Sequence, residues 1–315
     1  MFLDDLGKGW MLGGAVSRMV YKDKKLLVYP SIAVLLSTLL TLVVFAPLAI
    51  SPQGPGALGV VLLLIVWYVL IGTITFYLDM ALLIEFRGDY GGKKVGVRSA
   101  LAQALGYMPY VAAWAIVYGL IMIVLDYVES LVRGYGGAGA GAIFGIFAGF
   151  SVNAALLFVF PAIFEDRLGP IEAIKKSVDI VKRRFGQTFA GFAFTVLYAL
   201  AFRVIGILII VFAFLFLSGF GAIELVVLII GLVVFGLGWV FANTFRMVLS
   251  LIVYDYLNGK PLPDGIDKQM LNMALLREGD EGGGAAGGGS IFPKDISEGY
   301  MEDDISNIEE EEDYG

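Results

Sequence analysis

The chain has 315 residues, 58% hydrophobic and 16% charged, with a formal net charge of −7. A soluble globular domain is nearer ~45–50% apolar, so an ordinary water-soluble fold is excluded. Cysteine and histidine are both absent, which rules out a disulfide framework, the usual zinc, haem and iron–sulfur sites, and Cys–His or Ser–His nucleophile pairs.

No cofactor is expected. The charge is divided unevenly along the chain. From Asp255 onward four basic residues (Lys260, Lys268, Arg277 and Lys294) face sixteen acidic ones, leaving 18 basic against 13 acidic residues before it. A basic body carries an acidic tail.

The chain opens with a charged segment of roughly 25 residues. Leu3, Leu6, Trp10 and Val20 give its first part, 2–21, the rhythm of an amphipathic helix. Lys8, Arg18, Lys22, Lys24 and Lys25 follow or interrupt it. The first apolar run, 26–48, has no small-residue cleavage site after it, so it is expected to stay as an anchor. Further runs occupy 57–78, 108–128, 141–163, 189–217 and 224–254. Each is about as long as a helix needs to cross a ~30 Å hydrocarbon layer. Lipid offers the backbone no hydrogen-bond partner, and the runs lack the alternation of barrel strands. The predicted fold is therefore all-α: a polytopic bundle of six transmembrane helices, arranged as three hairpins with interfacial amphipathic helices.

The linking segments alternate in charge. Segment 49–56 carries no Lys or Arg but has Pro52 and Pro55; the next carries Arg87, Lys93, Lys94 and Arg98. After 108–128 comes Arg133 alone, and after 141–163 come Arg167, Lys175, Lys176, Lys182, Arg183 and Arg184. The turn 218–223 has none. The split is fifteen against one, and short Lys/Arg-rich loops stay in the cytoplasm. Both termini are expected inside a cell membrane. Tyr29, Trp67, Tyr68, Tyr107, Tyr110 and Trp114 lie near several predicted helix ends.

Residues 169–186 form the clearest amphipathic segment. Ile171, Ile174, Val178, Val181 and Phe185 mark one face, Pro170 suits the first turn, and Gly186 suits a C-terminal cap. Segment 97–107 is a shorter copy. Lys175, Lys176, Lys182, Arg183 and Arg184 are the expected contacts to anionic lipid head groups. Orientation of the bundle alone would need the same helices.

The even-numbered spans close alike: Ala81-Leu-Leu-Ile-Glu85-Phe-Arg-Gly88, Ala162-Ile-Phe-Glu-Asp166-Arg-Leu-Gly169 and Leu251-Ile-Val-Tyr-Asp255-Tyr-Leu-Asn-Gly259. Their acids are 81 and 89 positions apart, and Ser17, Ser99 and Ser177 recur at 82 and 78. The pattern reads as a threefold repeat of an amphipathic helix followed by a hairpin.

Gly9-Trp10, Lys24-Lys25-Leu26 with Pro30, and Glu165-Asp166-Arg167-Leu168-Gly169-Pro170 with Ala173, Ser177 and Phe185-Gly186 resemble a family of six-span prokaryotic membrane proteins defined by a domain of unknown function. The resemblance covers roughly residues 1–260 and implies a six-span membrane domain there, with no catalytic residues to carry over. The Gly-Pro…Ala…Ser…Phe-Gly block is loosely similar to the membrane domain of some bacterial glycerophosphodiester phosphodiesterases. No phosphodiesterase domain follows it here and the histidines are missing, so this likeness implies fold only.

Candidate sites are few. Arg203 lies midway along 189–217, where a charge calls for a partner; Asp126, Glu129 and Glu224 are the candidates. It marks either a pathway, or a structural ion pair or a side chain snorkelling to a head group. Arg246, near the end of its span, reads as snorkelling. Gly137, Gly141, Gly145 and Gly149, continued by Asn153, form a smooth stripe for close helix packing, within the chain or between two copies. Asn153 and Asn243 are expected to bond each other. Glu85, Asp166 and Asp255 form either a shared cation or proton site or separate pairs with nearby Lys and Arg. Residues 261–315 read as a cytoplasmic, mostly disordered acidic tail: a short helix over 262–277 with Met270, Met273 and Leu276 on one side, a Gly/Ala linker over 281–290 and an acidic end over 301–314. Its charge would repel nucleic acid.

The functional expectation is a non-enzymatic membrane component that binds lipid or partner proteins. The alternative is a transporter or channel for a small solute or lipid. A filled core would favour the first and a wet cavity reaching Arg203 the second.

Overall fold

The structure, a computed structural model, describes residues 2–50, 56–219, 221–263, 266 and 271; the side chains of 2–10, 47–50, 57, 150, 183–196 and 198 lie outside that description. Among the described residues the chain is all helix and turn. The helices are α1 (Phe2–Lys22), α2 (Val28–Ile50), α3 (Ala57–Tyr90), α4 (Val97–Ala104), α5 (Met108–Ala155), α6 (Val159–Asp166), α7 (Pro170–Phe216) and α8 (Ala222–Leu257). Five segments are long and apolar enough to cross a membrane: Lys24–Ala46, Leu58–Tyr90, Val97–Asp166, Ala199–Phe216 and Ala222–Leu257. The protein is a multi-pass helical membrane protein.

The longest of these segments folds back on itself. Gly137 has φ 82 and ψ 171, outside any helix and strained for a residue with a side chain. A Cβ at Gly141 would lie 2.7 Å from Cβ of Arg133, and one at Gly145 would lie 2.6 Å from Oε2 of Glu129. Along a continuous helix those pairs would stand roughly 12 and 24 Å apart. The two arms of α5 are therefore antiparallel, and the chain reverses on one glycine. The predicted glycine stripe is divided accordingly: Gly137 makes the turn, Gly141 and Gly145 pack against the preceding arm, and a Cβ at Gly149 would meet no atom of the described residues within 4 Å.

Two predicted boundaries need correction. The run 141–163 is interrupted at 156–158, before α6. Pro161 explains the break, since its ring has no N–H to give Leu157 and crowds that carbonyl. Gly186 caps nothing: α7 begins at Pro170 behind Gly169, as expected, but continues to Phe216. The buried face of its first turns also differs. Ala173, Ser177 and Ile180 are buried, whereas Ile171 is 60% exposed. The small Ala173 and Ser177 side chains let α7 approach closely, and the larger Ile171 is left on the outside.

The C-terminal end of α2, the start of α3, the reversal at Gly137 and the junction between α7 and α8 lie at one end of the bundle, the turn end. The opposite, collar end holds α1, α4, α6 and the start of α7. Here the core is filled. Leu12, Val16 and Val20 of α1 pack with Leu26, Tyr29, Met80, Leu82, Leu83, Trp114, Phe158, Ile163, Phe245, Leu249 and Tyr254. Ile266 and Leu271 join this core, so packed structure continues beyond residue 260. The predicted helix face at Met270, Met273 and Leu276, the 281–290 linker and the 301–314 acidic end lie outside the described residues. Toward the turn end, Leu35, Leu39, Leu42, Leu58, Leu62, Leu208, Leu215, Leu225 and Leu232 are exposed. Acyl chains are as apolar as leucine, so such surfaces suit a bilayer.

α7 and α8 approach backbone to backbone. A Cβ at Gly206 would lie 2.7 Å from the Phe235 nitrogen and 2.9 Å from the Gly231 oxygen. A Gly206→Val substitution must therefore push the helices apart. We expect a loss of about 1–3 kcal/mol, read as a lower Tm of the purified protein in detergent; an unchanged Tm would contradict the close approach.

Candidate functional site

The collar end gathers the charged residues left inside this apolar protein. Each acid that closes an even-numbered predicted span accepts a tyrosine hydroxyl from another element. Tyr29 at the start of α2 donates to Glu85, Tyr90 at the end of α3 donates to Asp255, and Tyr254 of α8 donates to Asp166. Phenol donors suit buried carboxylates, because they satisfy an oxygen without adding a second charge.

Two of these acids also meet cations. Arg87 reaches both Asp255 and, at 3.3 Å, Glu165. Lys260 lies 2.5 Å from Glu165, and Lys176 lies 2.6 Å from Asp166. The guanidinium of Arg87 also stands 5.1 Å from the Tyr90 ring centre, Lys176 5.4 Å from that of Tyr254, and Arg167 5.5 Å from that of Tyr107. These contacts join α3, α6, α7 and α8 into one polar network. Glu85 stands apart from it, fully buried, with Oε1 unpartnered. The three acids therefore do not converge on a shared site: Asp166 and Asp255 follow the ion-pair reading, and Glu85 follows neither.

A second polar group lies deeper. Asn243 of α8 donates through Nδ2 to Asp79 Oδ1 of α3 at 2.6 Å, and Arg246 donates to Asn243 Oδ1 at 2.8 Å. Asp79 is 1% exposed, and its Oδ2 has no partner. The expected bond between Asn153 and Asn243 is replaced by this one. Asn153 is exposed and donates instead to its own helix, at the Gly149 carbonyl. Arg246 is held inward by Asn243 rather than only reaching for a head group. Asp79 escaped sequence reading because the second span was closed at Leu78. The apolar run in fact resumes as Met80-Ala-Leu-Leu-Ile84, which places the acid inside it.

Arg203 is exposed on α7 and meets none of its proposed partners. Asp126 accepts from the Tyr68 hydroxyl, Glu129 pairs with Arg133, and Glu224 accepts from the Gly219 N–H. Antiparallel packing of the arms of α5 puts Asp126, Glu129 and Arg133 around a surface depression near the turn end. Arg203 lies about 20 Å along α7 from Phe216, with Phe202 against Gly238 beside it.

The serines that suggested a repeat play different parts. Ser17 donates to the Gly14 carbonyl, Ser99 accepts from Gln103, and buried Ser177 bonds the backbone at Ala155 and Phe158. Ser177 thereby satisfies backbone groups freed where the helix breaks before α6.

Of the predicted head-group contacts, Lys175 and Lys182 are exposed without an acidic partner among the described residues, Lys176 is drawn into the network, and the side chains of Arg183 and Arg184 lie outside the described residues. Arg18, Lys22, Lys24, Lys93, Lys94 and Arg98 are also exposed at the collar end and form no ion pair among the described residues. Comparison of the chain with family models, curated proteins and solved structures finds no match.

Proposed function

We propose that the protein is a non-enzymatic, six-span component of the cell membrane that binds anionic lipid head groups, or partners presenting similar charge, at its cytoplasmic face. The observation that carries this reading is the set of exposed Lys and Arg at the collar end that form no ion pair among the described residues, above a core filled with side chains. Lysines beside a membrane surface attract acidic lipids, and several acting together give useful retention. The fifteen-to-one division of Lys and Arg supports a cytoplasmic position for that end. The reversal at Gly137 supports two passes within α5 and hence six in all. The family resemblance of residues 1–260 agrees with six spans and brings no catalytic residues.

The test is native mass spectrometry of the protein released from nanodiscs containing phosphatidylglycerol. The wild type is expected to retain the acidic lipid in preference to phosphatidylcholine. A Lys175→Gln/Lys182→Gln variant should retain it roughly tenfold less. Equal retention by both proteins would refute the reading.

Transport of a small solute or lipid is the second reading. The buried Asp79–Asn243–Arg246 group favours it, since an intramembrane carboxylate with an unused oxygen is a common element of ion and proton paths. Arg203 lends it no support from its exposed position.

A further inference from the structure

Asp23, Glu85 and Asp89 form a group separate from the networks above. Each offers a carboxylate oxygen, and these oxygens all lie within 4.8 Å of one another. Asp23 is the residue between α1 and the short 3-10 turn Lys24–Leu27. Glu85 and Asp89 are four apart on α3 and therefore share one helical face. None of the three forms an ion pair among the described residues. Asp23 uses Oδ1 to accept the Lys25 N–H at 3.2 Å, while the Lys25 side chain is exposed.

Capping the 3-10 turn accounts for Asp23 alone. It leaves unexplained why two more acids converge on the same point, or why one is fully buried. Glu85 is 0% exposed, and Tyr29 satisfies only its Oε2; Oε1 has no partner. A buried carboxylate oxygen facing no donor, beside two further carboxylates, calls for a cation.

We propose that Asp23, Glu85 and Asp89 bind a hard divalent cation such as calcium. Calcium takes oxygen ligands at roughly 2.3–2.6 Å, so oxygens on opposite sides of it stand roughly 4.6–5.2 Å apart. Oxygens no more than 4.8 Å apart can therefore reach one such ion together without movement of the backbone. Water and the exposed side of Asp89 leave room for the remaining ligands. Bound there, the ion would tie the joint after α1 to the collar end of α3.

The full chain in phosphatidylcholine nanodiscs, stripped of divalent ions with a chelator, provides the test. Zwitterionic lipid removes the competing calcium sites of acidic head groups. Calcium titration followed by calorimetry and Tm should show one saturable site and a rise in Tm. Asp89→Asn, which changes only an exposed group, should weaken binding by about tenfold or more, and Asp23→Asn should do the same. Lys175→Gln should leave binding unchanged. The proposal fails if calcium has no effect at millimolar concentration, or if both variants bind like the wild type. A protein that is stabilised by acid but indifferent to calcium would also overturn it, by showing that the carboxylates share a proton instead.

Discussion

An Asn243→Leu variant is expected to lose about 3–5 kcal/mol of stability, although the two side chains are similar in volume. The Asn243 amide donates to Asp79 at 2.6 Å and accepts from Arg246 at 2.8 Å. Leucine removes both contacts together. Asp79 is then left buried with neither oxygen hydrogen-bonded, since its Oδ2 already lacks a partner. Water can neither reach the group easily nor replace the lost donor, so the carboxylate must take a proton or open the α3–α8 contact. Detergent unfolding at neutral pH should show the loss. An Asp79→Leu/Asn243→Leu double variant should recover most of it, because an apolar pair leaves no carboxylate to solvate. If the single variant is silent, Asp79 is hydrated in the membrane, and the transport reading gains ground.

Replacing Arg87 by methionine should be comparably damaging, again by about 3–5 kcal/mol, for a different reason. Arg87 bridges Asp255 of α8 and Glu165 of α6 from its place on α3. Asp255 is fully buried, and the Glu165 side chain is only 9% exposed. Without the guanidinium, Glu165 keeps Lys260, but among the described residues the Asp255 carboxylate keeps as hydrogen-bond donor only the Tyr90 hydroxyl, with Lys260 acting on it from farther away. The variant should show a lower Tm together with faster proteolysis between α6 and α7, where the network holds the connection. Arg87→Lys should recover part of the loss, because an ammonium supplies the charge but cannot fork toward two carboxylates. Full recovery by lysine would mean that charge alone, rather than bridging geometry, holds the collar together.

The fold was legible where chemistry is local. Runs of apolar residues revealed helices, Gly169-Pro170 marked the start of α7, and the three amphipathic segments coincide with α1, α4 and the beginning of α7. Facing was harder to read. A helix in lipid is apolar on its buried and exposed sides alike, so periodicity loses its contrast. In 169–186 the apolar face marked by Ile171 stands out in the sequence, whereas Ala173 and Ser177, too small to stand out, form the packed face. Gly137 shows a similar ambiguity: a glycine at a regular spacing can be a packing surface or a turn, and only the backbone angles separate the two. The polar sites were the least legible. Tyr29 with Glu85 spans 56 positions and Asp79 with Asn243 spans 164, and no local pattern encodes such distances. Acids were visible at the helix ends, but their tyrosine donors looked like ordinary interfacial aromatics.

The α7–α8 ribbon has a mechanical implication. Its far half is held by glycine contacts between the two helices, with Leu208, Leu215, Leu225 and Leu232 facing outward, whereas its near half is clamped by the collar. A body anchored so firmly at one end behaves like a brush fixed at its handle. Thinner or thicker acyl layers would change the splay of the bristles while leaving the handle's charge pattern intact. Bilayer thickness and head-group composition would then act on opposite ends of the same molecule as separate controls.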